Sequence, residues 1–331
     1  MARDNSIVAA LLAGVPPSEI LEDSGALATF PELTRVATFL ERRRHLESVT
    51  ERRAEWHLGN LRQLRRMRGA RVLDEMRGSP DPTEFFERYY FRNEPVIIRN
   101  LKSGWWPFDE FTFEKIRSAY GGEMVSVFKG RMCGRQFEEN VDQFFVDVRL
   151  GEFLSCVQSG PSDMYLIGQN RGLEGGLLGL SQHLRPLEEI LDGDFRPEAG
   201  LPSFWIGPSG TITNLHFDIS NVLNILIEGS KRFILVPSDN TCFVYNSRGI
   251  FSEVDAKNPD TARHPLFSRA ERFEVVLAPG DAIFIPVGWW HYVESLEPSI
   301  SIAFNRFVVG NTFSMPTYLL NSLQGVSNDH A

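Results

Sequence analysis

Gly280-Asp281-Ala282-Ile283-Phe284-Ile285-Pro286-Val287-Gly288-Trp289-Trp290-His291 is the stretch that decides the fold. A Pro-Gly-Asp turn starts an apolar, strand-forming run, a second turn at Pro286-Val287-Gly288 re-aims the chain, and the strand chemistry after it carries His291. Upstream, His216-Phe217-Asp218 lies in a similar run. Residues i and i+2 of a strand point to one face, so the His216 imidazole and the Asp218 carboxylate converge at metal-ligand spacing. With His291 they make a two-histidine, one-carboxylate set, which leaves adjacent positions on a metal open, as in non-haem Fe(II) oxygenases.

Working outward, the chain from about Asp163 onward is a series of short β-branched and aromatic runs punctuated by Gly, Pro and Asn, at 164–167, 203–206, 211–217, 222–227, 232–236, 274–277, 282–285, 292–295 and 300–307. So many short strands in one region imply a barrel or sandwich, most simply a double-stranded β-helix. The fold class expected is therefore mainly β with helical flanks. Residues 31–73 are almost free of Gly and Pro, with Leu33, Val36, Phe39 and Leu40, then Leu58, Leu61, Leu64 and Met67, at helical spacing, and read as two or three amphipathic helices. After the breaker Gly78-Ser79-Pro80-Asp81-Pro82, Thr83 is expected to cap a short helix bearing Phe85, Phe86, Tyr89 and Tyr90. Residues 95–99 and 123–128 have strand chemistry, 108–120 look helical and 137–156 are mixed. The expected organisation is an N-terminal helical region over 1–80, a strand-rich domain over 81–310 with its metal-binding core at 161–307, and a short C-terminal helix and tail over 311–331, the helix near 317–323.

The net charge of -9 over 331 residues is unevenly spread: residues 31–77 hold 12 Arg against 7 Asp and Glu, leaving the remainder strongly acidic. An acidic balance argues against nucleic acid as a partner. The basic helical stretch reads as a solvated face, with an acidic peptide or nucleic acid as the alternative contact. Three widely spaced cysteines, Cys133, Cys156 and Cys242, offer neither a disulfide framework nor a metal knuckle, which points to a reducing, cytoplasmic setting. No apolar run reaches the length of a membrane span, so no membrane partner is expected.

The spacing around the ligand set is more specific than the set itself. Gly210, His216, Asp218 and Gly229 resemble the first cupin motif, and Gly280, Pro286, Gly288 and His291 match the second. From Phe85-Phe86-Glu87-Arg88-Tyr89-Tyr90 and Asn93-Glu94-Pro95-Val96-Ile97-Ile98 to Gly229-Ser230-Lys231-Arg232-Phe233 and Trp289-Trp290-His291-Tyr292-Val293-Glu294-Ser295-Leu296, the chain resembles the JmjC-domain, cupin-like family. That family includes the asparaginyl hydroxylase acting on hypoxia-inducible factor.

The resemblance implies Fe(II), 2-oxoglutarate and O2, with His216, Asp218 and His291 as metal ligands and catalytic centre. 2-Oxoglutarate is a dianion whose far carboxylate is buried, and an unpaired charge there would be very costly, so a cation is required. By the resemblance that cation is Lys231, with the hydroxyls of Thr213 and Tyr165 beside it and Asn305 near the chelating end. Strict alternation puts Thr213 on the face opposite His216, so its role needs a bulge. The chain departs from the family at Val222, where Asn is usual and many cupins have a liganding Glu; this excludes a fourth ligand and makes Asn224 a candidate substitute for the lost hydrogen bond.

Trp289 and Trp290 read as packing residues and Glu294 as structural. The implied activity is hydroxylation of a side chain in a peptide or protein, with the 238–274 loop expected to line the mouth. Alternatives are a peptide natural product, a free amino acid or other small molecule, an N-methyl-lysine demethylase, or a non-catalytic metal-binding cupin module. Helices outside the barrel are expected to support a homodimer.

Overall fold

The structure, a computed structural model, describes residues 56, 58–67, 71–101, 108–130, 144–160, 162–168, 172–185, 187, 189–194, 196, 200–246, 249–311 and 313. The chain divides into two compact units, 1–70 and 71–331. In the first, residues 58–66 are helical. The other amphipathic helices expected in 31–55, and the one near 317–323, lie outside the described residues, as does the homodimer expected from them. No helix of the described residues is long and apolar enough to cross a membrane.

The second unit holds thirteen strands among its described residues: β1 (Asp74–Arg77), β2 (Val96–Arg99), β3 (Met124–Lys129), β4 (Phe145–Arg149), β5 (Met164–Tyr165), β6 (Ser203–Gly207), β7 (Ile212–Phe217), β8 (Val222–Glu228), β9 (Lys231–Val236), β10 (Phe273–Leu277), β11 (Ala282–Ile285), β12 (Trp290–Ser295) and β13 (Ser299–Phe304). They form a six-stranded sheet in the order β1-β2-β11-β8-β13-β6, a four-stranded sheet β10-β9-β12-β7 and a three-stranded sheet β4-β3-β5. A bridge between Leu166 and Ile206 ties the end of β5 to β6.

Alternation along the strands sorts their side chains into layers. Ile97, Leu226, Ile283 and Ile285 of the large sheet meet Phe233, Leu235, Val275 and Leu277 of the four-stranded sheet in one cluster, which is the interior of the double-stranded β-helix. The other face of the large sheet packs on the helical flanks through Phe85, Phe153, Leu154 and Leu180. The outer face of the small sheet is covered by Phe243, Val254 and Phe267 of the long loop after β9.

Three local expectations are corrected. Asp81, not Thr83, caps the helix Pro82–Phe85: its carboxylate accepts from the Glu84 N–H at 2.8 Å, and Pro82 takes the first helical position, where a missing N–H costs nothing. Within the stretch assigned to the helical region, β1 is a strand rather than helix. It pairs parallel with β2, because the helical crossover over 82–90 returns the chain to the same edge, and Arg99 of β2 grips Glu75 of β1. The C-terminal strand also stops at Phe304, and Phe307 makes only a bridge to Leu191.

Candidate metal centre

The two sequence motifs are joined at their turns. Gly288 adopts φ +81° and donates its N–H to the Asp218 carbonyl at 3.1 Å, while the Val287 N–H donates to Oδ1 of buried Asn221 at 2.8 Å. The turn that re-aims the chain toward His291 is thereby fastened to the segment that carries Asp218.

Beyond that turn, His291 of β12 stands directly opposite His216 of β7, their ring centroids 4.2 Å apart. Asp218 closes the group: Oδ1 lies 3.8 Å from His216 Nε2 and Oδ2 lies 3.5 Å from His291 Nε2. Ligand atoms of the three residues all lie within 4.8 Å of one another.

Each imidazole is oriented from behind by the chain two residues earlier. His216 Nδ1 contacts the Asn214 carbonyl at 2.8 Å and His291 Nδ1 the Trp289 carbonyl at 3.0 Å. A carbonyl can only accept, so Nδ1 carries the proton in both rings and Nε2 presents a lone pair to the shared centre. Burial, with His216 beside it, pushes His291 down to about 4, so that ring is neutral at pH 7. Two ring nitrogens and a carboxylate converging on one point fit a divalent cation, and the nitrogen and oxygen donors suit iron.

A cavity of about 740 Å3 runs from these three residues into the sheet interior. Its walls include every other candidate from the sequence: Tyr165, Thr213, Val222, Asn224, Lys231 and Asn305. Register gives its depth. His291, Val293 and Ser295 of β12 pair with Leu235, Phe233 and Lys231 of β9, so Lys231 starts four strand positions, about 13 Å, from the histidine rung.

Thr213 reaches the same cavity because β7 is irregular. His291 pairs with His216 but Val293 pairs with Thr213, so Asn214 and Leu215 together face Tyr292. That extra residue is the bulge that alternation alone does not supply.

Lys231 is 2 % exposed, and its ammonium donates to Ser301 Oγ at 2.8 Å. Burial pushes it down to about 7. Asn224 Oδ1 is also buried, with no hydrogen-bond partner among the described residues. A buried amine held by one hydroxyl, opposite a metal-type ligand set, fits a ligand with an anionic far end.

Several residues in or behind the wall carry no motif. Ser301 lies on β13 and is recognisable only through its contact with Lys231. Residues 250–252 add to the free edge of β7, with the Phe217 N–H donating to the Ile250 carbonyl and the Ser252 N–H to the Leu215 carbonyl. This places Ile250 and Phe251 in the wall, with the Phe251 ring stacked at 6.2 Å from His216. The sequence signal for them was only that a long loop follows β9.

Trp289 and Trp290 stay out of the cavity wall. They are buried, donating to the Asn93 carbonyl and to Thr241 Oγ1, and Glu294 is held by Arg232 and Lys257.

Residues 82–307, which contain all of this lining, match the sequence profile of a family described as a cupin-like domain. HSPB1-associated protein 1 of Rattus norvegicus is 30 % identical over 239 residues, 65 % of this chain and 48 % of that protein. Lysine-specific demethylase 8 of Xenopus tropicalis is 26 % identical over 240 residues, 68 % of this chain and 51 % of that protein. Jumonji C domain-containing protein 5 of Drosophila melanogaster is 36 % identical over 104 residues, 30 % of this chain and 26 % of that protein. The chain spans about half the length, or less, of these curated relatives. The profile match covers most of the chain and the whole strand framework from β2 to β13, and the chain belongs to the cupin-like domain family, with JmjC proteins among its relatives.

Proposed function

We propose that the protein is an Fe(II)- and 2-oxoglutarate-dependent oxygenase that hydroxylates a side chain of a peptide or protein. The observation that carries this reading is the pairing, in one cavity, of the ligand set His216, Asp218 and His291 with the buried ammonium of Lys231 at the far end. Membership of the family supports the oxygenase class, and relatives named for protein association and for lysine demethylation support a protein substrate.

His216 and His291 would hold the metal through Nε2 and Asp218 through a carboxylate oxygen. Val222 offers no donor, which leaves positions on the metal open. Bound there with 2-oxoglutarate, Fe(II) and O2 supply the insertion of one oxygen atom into a C–H bond, with succinate and CO2 released.

The chain's own work is positional. Lys231 would take the far carboxylate, its ammonium steadied by Ser301, with the Thr213 and Tyr165 hydroxyls beside it. Asn305, and Asn224 in place of the family's usual Asn at 222, would orient the chelating end. Ile285, Val293 and Phe233 give apolar walls that exclude water between the two ends. The two imidazoles are fixed by their backbone contacts, each with Nδ1 turned to a carbonyl.

Succinate formation from 2-oxoglutarate, with Fe(II) in air, tests this reading, with His216→Ala as the control. Release by the wild type well above that control is expected; release no greater than the control sinks the reading. One relative's name, lysine-specific demethylase 8, favours a second version in which the same centre hydroxylates an N-methyl group.

A further inference from the structure

The cavity's charge inventory separates those two versions. Among its described lining residues the carboxylates number one, Asp218, and both of its oxygens already face the histidine Nε2 atoms at 3.5 and 3.8 Å. The cation among the described lining residues is Lys231. A substrate ammonium or guanidinium entering this space would lose its water without gaining a carboxylate of the chain as counter-charge.

Aromatic faces can replace a carboxylate as a cation's partner, but only where several surround it. Here most of them lie toward the Lys231 end. Trp205 is opposite Ser301, the partner of Lys231, and Tyr165 lies 5.8 Å from Trp205. Phe128 pairs with Tyr165, and Phe233 sits on the rung between the histidines and Lys231. Beside the ligand set itself stands one ring, Phe251. Other polar lining groups are uncharged, among them Ser203, Ser220 and Asn305.

We infer that the side chain taken into this site is uncharged, held by hydroxyl and amide hydrogen bonds against Ile250 and Phe251, and that methyl-lysine and arginine side chains are disfavoured. The inference rests on the oxygenase reading for the place where the substrate reacts, and it narrows the substrate class of that site. The chain's net charge of -9 favours a basic partner at long range, whereas the cavity selects the reacting side chain by its neutrality.

The test uses the full chain loaded with Mn(II) and 2-oxoglutarate, and an equimolar pool of capped peptides that differ only at one central residue. Peptides retained by the protein are counted by mass spectrometry. Asparagine, serine, leucine and other neutral central residues are expected to be retained about tenfold over trimethyl-lysine and arginine. Installing a carboxylate with Ser220→Asp is expected to raise retention of the cationic peptides about fivefold, since it supplies the missing counter-charge. Retention led by the cationic peptides overturns the inference, and so does retention of no peptide above a blank. Failure of the parent reading registers separately: neutral peptides retained by a protein that does not hold 2-oxoglutarate would remove the oxygenase reading and leave the selectivity standing.

Discussion

His291 stands opposite His216 across the β12–β7 ladder, and the rung that follows is uneven, two residues of β7 facing the single Tyr292. The even rung makes the ligand pair, and the uneven one turns Thr213 into the same cavity. Thr213→Val keeps the shape and removes the hydroxyl. The expected outcome is a five- to tenfold weaker affinity for 2-oxoglutarate, about 1 kcal/mol, with the melting temperature unchanged, as measured by calorimetry.

Lys231 carries a conflict between stability and binding. A buried ammonium with one hydroxyl partner is a burden in the ligand-free protein, and a carboxylate relieves it. Lys231→Met should therefore raise the melting temperature of the ligand-free protein at pH 7 by a few degrees while weakening 2-oxoglutarate binding about a hundredfold. A lysine with a purely structural role would lose stability instead.

The same group sets a pH dependence. Its folded value near 7 lies below the ordinary 10.5, so between those values the unfolded chain holds the extra proton. Stability of the ligand-free protein should then rise with pH across that window, by up to about 1.4 kcal/mol per unit, and be lost as pH falls toward 7. Binding of a dianion runs the other way, because it demands the charged amine: affinity should fall by up to about tenfold per unit above pH 7. Titrations from pH 6 to 9 check both slopes, and Lys231→Met should flatten them.

Two glycines with left-handed backbone should respond differently to alanine. At Gly229, φ +81°, a Cβ would sit 2.1 Å from the Pro298 carbonyl oxygen, in the turn that delivers Lys231. At Gly210, φ +79°, nothing lies within 4 Å. Gly210→Ala is expected to cost about 1 kcal/mol, whereas Gly229→Ala should leave little folded protein, read from soluble yield and thermal melts.

Much of this was legible beforehand because both motifs are local. A histidine and an aspartate two residues apart, and a turn with Pro and Gly at set positions before His291, state their geometry within a dozen residues. The strands of the interior were legible too, since alternation and β-branched residues mark them.

Contacts made across long sequence distances left no such mark. Ser301 is an ordinary strand serine until β13 sets it against Lys231. Phe251 becomes part of the wall only because 250–252 add to the edge of β7. The β7 bulge was required by Thr213 but written in no residue type. β1 is short and polar, Asp-Glu-Met-Arg, and owes its strand form to β2 rather than to its own propensity.

The central claim is that one cavity holds a metal at one end and a dicarboxylate at the other. Diffraction from crystals soaked without oxygen in Mn(II) and 2-oxoglutarate tests it most directly. An anomalous peak bonded to Nε2 of His216, Nε2 of His291 and a carboxylate oxygen of Asp218 is expected, with 2-oxoglutarate reaching from that metal to the Lys231 ammonium. A metal held by other residues, or a dicarboxylate whose far end lies away from Lys231, would contradict it.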